Sequence, residues 1–138
     1  DRFDFPRSML HSGDFNFSFS GLKTSVRYML PKLAGENMAD ICASFQEAIV
    51  DILVAKTLDA AKAGRLRVIA VSGGVSCNTR LRERFREACA AQGIELLLAD
   101  PRLCTDNAAM IAHVAALKFT RGESTPLGAD IDPNLALV

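Results

Sequence analysis

The sequence predicts an α/β domain with a mixed sheet flanked by helices. Three patterns point to it. Residues 14–20 alternate polar and aromatic side chains, the mark of a half-buried strand. Apolar residues from Met38 to Leu53 recur at steps of three and four, as on an amphipathic helix. A strand–helix–strand run then spans Arg67 to Ala99. The 138 residues suffice for one compact domain, which at this size buries about 70% of its unfolded surface.

In chain order, two short strands are expected near residues 2–6 and 14–19, joined by a turn through Ser12, Gly13 and Asp14. Gly21 opens a helix that Pro31 stops. A long helix runs from Asn37 to about Ala63, with Met38, Ile41, Cys42, Phe45, Ile49, Ile52 and Leu53 in one stripe and Gly64 ending it. Arg67 to Val71 reads as a short buried strand. Asn78 to Gln92 reads as a helix with Leu81, Phe85, Ala88 and Cys89 inward, and Ile94 to Ala99 as a further strand. Thr105 or Asp106 starts a last helix reaching about Thr120. Residues 121–138 carry Gly122, Pro126, Gly128 and Pro133 and read as an irregular tail to a single lobe over 1–138.

Sixteen basic and 16 acidic residues give no net charge, which argues against a dedicated nucleic-acid binder. Any RNA contact must be a local patch. No apolar run approaches the roughly 20 residues needed to cross a bilayer, and no secretion signal is visible. The four cysteines, Cys42, Cys77, Cys89 and Cys104, form no C-x-x-C pair and read as reduced thiols of a soluble, cytoplasmic protein. With Asp1 in place of a methionine and RFDFPRSML resembling the inside of a fold, the chain is expected to be a fragment.

A strand–helix–strand unit needs a crossover, so its strands should run parallel, with ligands bound beyond their carboxyl ends. Those ends lead into Ser72–Asn78 and Asp100–Asp106, so Gly73, Gly74, Asn78 and Asp106 are expected to converge. A Gly-Gly pair lets an anion or nucleotide approach the backbone before a helix N-terminus, yet taken alone it reads first as a tight turn. It matches neither the P-loop nor the G-x-G-x-x-G fingerprint. Asn78 is a ribose or base donor or a helix cap, with the cap ahead; Asp106 is a hard metal ligand or a cap, again with the cap ahead. Arg80, Arg82, Arg84 and Arg86 alternate with Glu83 and Glu87, which favours a salt-bridged helix surface over a phosphate patch. Lys23 and Arg27 are read in the same way. His11 and His113 stand apart, and no H-E-x-x-H is present, so no peptidase machinery is visible.

Three blocks together resemble one family: Phe17-Ser-Phe-Ser-Gly-Leu-Lys-Thr24, Val71-Ser-Gly-Gly-Val-Ser-Cys-Asn-Thr-Arg-Leu-Arg82 and Cys104-Thr-Asp-Asn-Ala-Ala-Met-Ile-Ala112. Their order and spacing are similar to those of the TsaD family, the tRNA threonylcarbamoyl-adenosine transferases, also called glycoproteases or O-sialoglycoprotein endopeptidases. The resemblance covers the whole chain but less than half of the family's usual length. It implies the second of two lobes of the actin-like ATPase type (sugar kinase and heat-shock ATPase). By that resemblance Gly73 and Gly74 hold the adenosine part of a nucleotide, Asn78 contacts substrate, and Asp106 binds a metal, which reverses the cap-first reading there. No residue of this lobe is singled out as catalytic.

The family transfers a threonylcarbamoyl group from threonylcarbamoyl-adenylate to the adenosine beside the anticodon. This implies an acyltransferase acting on tRNA, with ATP or AMP as related ligands and TsaB- and TsaE-like accessory proteins if bacterial. It also implies one divalent metal, iron by resemblance, with zinc or magnesium as alternatives. The family's H-x-x-x-H pair would lie in the first lobe, so this chain alone is expected to be inactive. The tail around Asp132-Pro133-Asn134-Leu135 lacks the Arg and Trp often found near the family's C-terminus. A small-molecule carbamoyltransferase lobe and a non-catalytic nucleotide- or partner-binding scaffold lobe are the alternatives.

Overall fold

The computed structural model describes residues 2–130 and 134. The chain divides into two compact units, Asp1–Cys104 and Thr105–Val138. The first contains α1 (Ser20–Met29), a 3-10 turn (Leu30–Leu33), α2 (Met38–Ala63), β1 (Val68–Val71), a 3-10 turn (Gly74–Cys77), α3 (Thr79–Gln92), β2 (Glu95–Leu98) and a 3-10 turn (Pro101–Leu103). The second contains α4 (Ala108–Thr120). Pro31 falls inside the first 3-10 turn, where its missing N–H is harmless.

The crossover expectation holds. β1 and β2 pair in parallel, Val68 against Glu95 through Val71 against Leu98, with α3 between them in sequence. Leu81, Phe85 and Cys89 of α3 are buried with Ile69 of β1 and Val50, Val54, Leu58 and Ala61 of α2. β1 is less buried than expected, because Ile69 alone among its residues is fully covered and Val68 is 44% exposed. Within this unit α2 and α3 pack on one face of the sheet, so alternate residues remain wet.

The long helix also departs from its expected single stripe. Ile41 and Ala48 join Phe5 and Leu22 in a second cluster, while Val50 to Ala61 feed the first. A helix of 26 residues is about 39 Å long, enough to serve two separate cores. Cys42 and Met38, expected in the stripe, are exposed.

The two N-terminal strands do not form, and the sheet among the described residues is parallel rather than mixed. Phe5 is fully buried, edge-on to Phe45 at 6.1 Å, whereas Phe15 and Phe17 of the alternating stretch are 51% and 46% exposed. A strand also needs a ladder partner, and this backbone bonds to other groups. The N–H groups of Arg2 and Phe3 donate to Ser44 Oγ, and that of Asn16 donates to Asp14. The buried Lys56 ammonium holds the following loop by donating to Met9 O at 2.7 Å and Ser12 Oγ at 2.8 Å.

Residues 121–130 are irregular, as expected. Of the tail sequence around 132–135, only Asn134 lies within the described residues. No described helix is long and apolar enough to cross a membrane.

Candidate functional site

The parallel pairing opens the carboxyl ends of β1 and β2 on one edge. β1 runs into Gly73, whose φ of +87° and ψ of 166° belong to a region essentially reserved for glycine. The chain next makes the 3-10 turn Gly74–Cys77, and α3 starts at Thr79 with Asn78 as its cap, as expected. Gly74 has no positive φ, and a Cβ there would meet nothing within 4 Å. Both glycines are exposed, leaving their backbone open to a ligand.

Asn78 performs the cap expected of it: its Oδ1 accepts from the Leu81 N–H at 2.9 Å. Its Nδ2 donates to Gln46 Oε1 at 2.7 Å, fixing the amide against α2. One N–H of that amide remains for another partner. Asn78 and Gln46 line a groove of about 230 Å³ with Phe45, Ile49, Val75 and Leu81, and Phe17, Val71, Ser72, Val75 and Phe85 line another of about 370 Å³.

Arg82 joins the two strand-end loops and was hidden among surface arginines in the sequence. It is 8% exposed. Its Nε donates to Ser76 O, and its Nη2 donates to Ala99 O at 2.7 Å. Cys104 Sγ lies 3.5 Å from Nη2 and accepts from Ser76 Oγ at 3.1 Å. Among the described residues no carboxylate hydrogen-bonds to this guanidinium, whose donors go instead to the backbone carbonyls of both loops, and a cation so placed favours a nearby anion. The available signal was its spacing: Arg82, Phe85 and Cys89 share one face of α3. Asp100, at the start of the second loop, has its carboxyl held below the ordinary range, first by hydrogen bonds from Arg102 and least by the charge of Arg82.

Arg80 and Arg84 form a salt-bridged surface as expected, though mainly with acids of α2 rather than with the interleaved Glu83 and Glu87. Arg80 grips Glu47 of α2 through two bonds of 2.8 Å, and Arg84 pairs with Asp51 at 3.2 Å. The Arg80 guanidinium holds the Glu47 carboxyl below its usual value, even though partial burial opposes this. A groove of about 680 Å³ lies over this ladder, and the acids and bases along it neutralise one another.

Asp106 belongs to the second unit, and the cap of α4 is not Asp106 but its neighbour. Asn107 Oδ1 accepts from the Met110 N–H at 3.0 Å. An asparagine one residue later has the same capping chemistry, which leaves Asp106 exposed and, among the described residues, without a hydrogen bond or ion pair. It offers one hard oxygen donor group. The described residues contain no group of three His, Cys, Asp or Glu able to hold a metal, so this donor set does not by itself fit one. All four cysteines are free thiols, and burial pushes that of Cys89 up.

The family model for TsaD, described as tRNA N6-adenosine threonylcarbamoyltransferase, matches residues 1–113. The chain belongs to the TsaD family. All three sequence blocks of the resemblance fall inside the matched span. TsaD proteins have the actin-like ATPase fold, and the small parallel sheet flanked by helices is consistent with part of it. A curated relative from Bdellovibrio bacteriovorus, named tRNA N6-adenosine threonylcarbamoyltransferase, is 50% identical over 136 residues, covering 96% of this chain and 39% of the relative. Relatives of the same name from Geobacter sulfurreducens and Thermotoga neapolitana are 46% and 45% identical, each over 99% of this chain and 41% and 42% of their own lengths. The chain thus spans about two fifths of the length of these TsaD relatives.

Proposed function

We propose that this chain is the nucleotide-binding second lobe of a two-lobed tRNA adenosine threonylcarbamoyltransferase. The observation that carries it is the match of residues 1–113 to the family, with all three motif blocks inside it. In the reaction, the exocyclic amine of the adenosine beside the anticodon attacks the carbamoyl carbonyl of threonylcarbamoyl-adenylate. The new C–N bond replaces the bond to phosphate, AMP leaves, and the amine loses one proton. The names of the relatives favour this over a small-molecule carbamoyltransferase.

This lobe binds and orients the donor. Gly73 and Gly74 let its adenosine part lie against bare backbone, and the free amide proton of Asn78 donates to it. Arg82 holds both loops in register and favours the anionic phosphate. Asp106 contributes one ligand to a divalent metal, iron in our reading with zinc or magnesium as alternatives, whose other ligands lie outside this chain. Such a metal, when bound, supplies Lewis-acid polarisation of the donor. TsaB- and TsaE-like accessory proteins and a cytoplasmic setting belong to the same proposal.

Complementation tests it. A bacterium depleted of its own transferase receives the full-length gene, and its tRNA nucleosides are resolved by mass spectrometry. Restored threonylcarbamoyl-adenosine supports the proposal. A well-expressed full-length protein that restores none, although a TsaD relative does so in the same strain, overturns it.

A further inference from the structure

The carboxyl edge is not the only place where this lobe offers charge. At the opposite end of the sheet, where α2 and α3 end and the strands begin, lies a groove of about 500 Å³. Lys62, Arg65 and Arg67 line it together with Gln92, and no carboxylate does. Among the described residues none of the three makes an ion pair or a side-chain hydrogen bond. This contrasts with Arg80 and Arg84, which are held by Glu47 and Asp51. Between Asp59 and Glu83 the sequence carries five cations and no acid, although the whole chain is neutral.

The backbone beneath this groove sharpens the point. Both helices end in the same motif. Leu66 N–H donates to Ala61 O and Arg65 N–H to Lys62 O, just as Ile94 N–H donates to Cys89 O and Gly93 N–H to Ala90 O. In α3 the left-handed position is filled by Gly93, with φ +65°. In α2 it is filled by Arg65, with φ +53°, while the glycine sits one residue earlier. An arginine holds a strained position that glycine fills in the neighbouring helix, and its charge faces a groove without acids.

We infer that Lys62, Arg65 and Arg67 form a docking surface for the phosphate backbone of RNA, remote from the nucleotide edge. The four residues of β1 separate the two ends by about 13 Å, a distance that an RNA with its target base at the nucleotide edge can span with its backbone. This rests on the tRNA reading above and names the face of the lobe that tRNA meets.

The test measures binding of an unmodified tRNA transcript to the full-length protein between about 50 and 200 mM salt. Neutralising three phosphate contacts in a Lys62→Gln, Arg65→Gly, Arg67→Gln variant should weaken binding on the order of ten-fold or more. The slope of log affinity against log salt should become shallower by about 2 to 3. Arg65→Gly alone should raise the melting temperature while weakening tRNA binding, a combination that loss of fold cannot produce. Unchanged affinity and slope in the triple variant overturn this inference and leave the functional reading standing. Equal losses on neutralising Lys23 and Arg27 of α1 also overturn it, by showing a general charge effect. A wild-type protein that binds no tRNA overturns the functional reading, and this inference falls with it.

Discussion

Replacing Arg82 with methionine probes the joint between the two strand-end loops. The long apolar side chain keeps most of the volume but removes donors to Ser76 O and Ala99 O and the contact with Cys104 Sγ. A hydrogen bond from a charged donor is worth about 1.5–3 kcal/mol, and a buried acceptor left unpaired costs a similar amount. Relief from burying a cation offsets part of this, leaving a net loss of about 3 kcal/mol. In a protein about two and a half times this length melting as one unit, that lowers the melting temperature by about 4 °C. The assay is thermal melting of the full-length protein, with amide exchange followed at residues 76–78 and 99–104. Arg82→Met should melt earlier and exchange faster in both loops at once, whereas Arg82→Lys, which keeps the charge but not the fork, should fall between. Unchanged melting and exchange in Arg82→Met would refute the bridging role.

Three further predictions separate folding from ligand contact. The lowered carboxyl of Glu47 contributes stability above its ordinary value of 4.5, and this is lost as pH falls through the lower folded value. Glu47→Gln should therefore lower stability at neutral pH, with the gap to wild type closing below 4.5 in melts taken across acid pH. Gly73→Ala should destabilise by about 1–3 kcal/mol through its backbone angles, whereas Gly74→Ala should fold normally and lose donor affinity, as read by denaturation and nucleotide titration. Asn107→Ala should cost about 1 kcal/mol by uncapping α4, while Asp106→Asn should leave melting unchanged and abolish transfer by the full-length enzyme.

What the sequence disclosed and what it hid divide along the range of the interactions. The β1–α3–β2 unit was readable because Leu81, Phe85 and Cys89 repeat at helical spacing between two short apolar runs, and because a crossover forces parallel strands. The Asn78 cap was readable because capping is local. The N-terminal alternation misled because period two supplies neither a pairing strand nor a surface to cover the aromatics, and Phe15 and Phe17 stay exposed. Arg82 and Lys56 were invisible as buried cations, since their partners lie up to 22 and 47 residues away. The start of α4 was placed early because Asp106 and Asn107 are equally good caps by residue type, and only backbone geometry chooses between them.

The central claim is that this chain is one lobe of a transferase and works only with the other. Its most direct test is threonylcarbamoyl-adenosine formation on a tRNA transcript, with threonylcarbamoyl-adenylate and accessory proteins supplied. The full-length protein, these 138 residues alone, and the same residues mixed with the separately expressed first lobe are compared. We expect turnover by the full-length protein, none by the lobe alone, and partial recovery on mixing. Turnover by the lobe alone, or none by the full-length protein, would contradict the account.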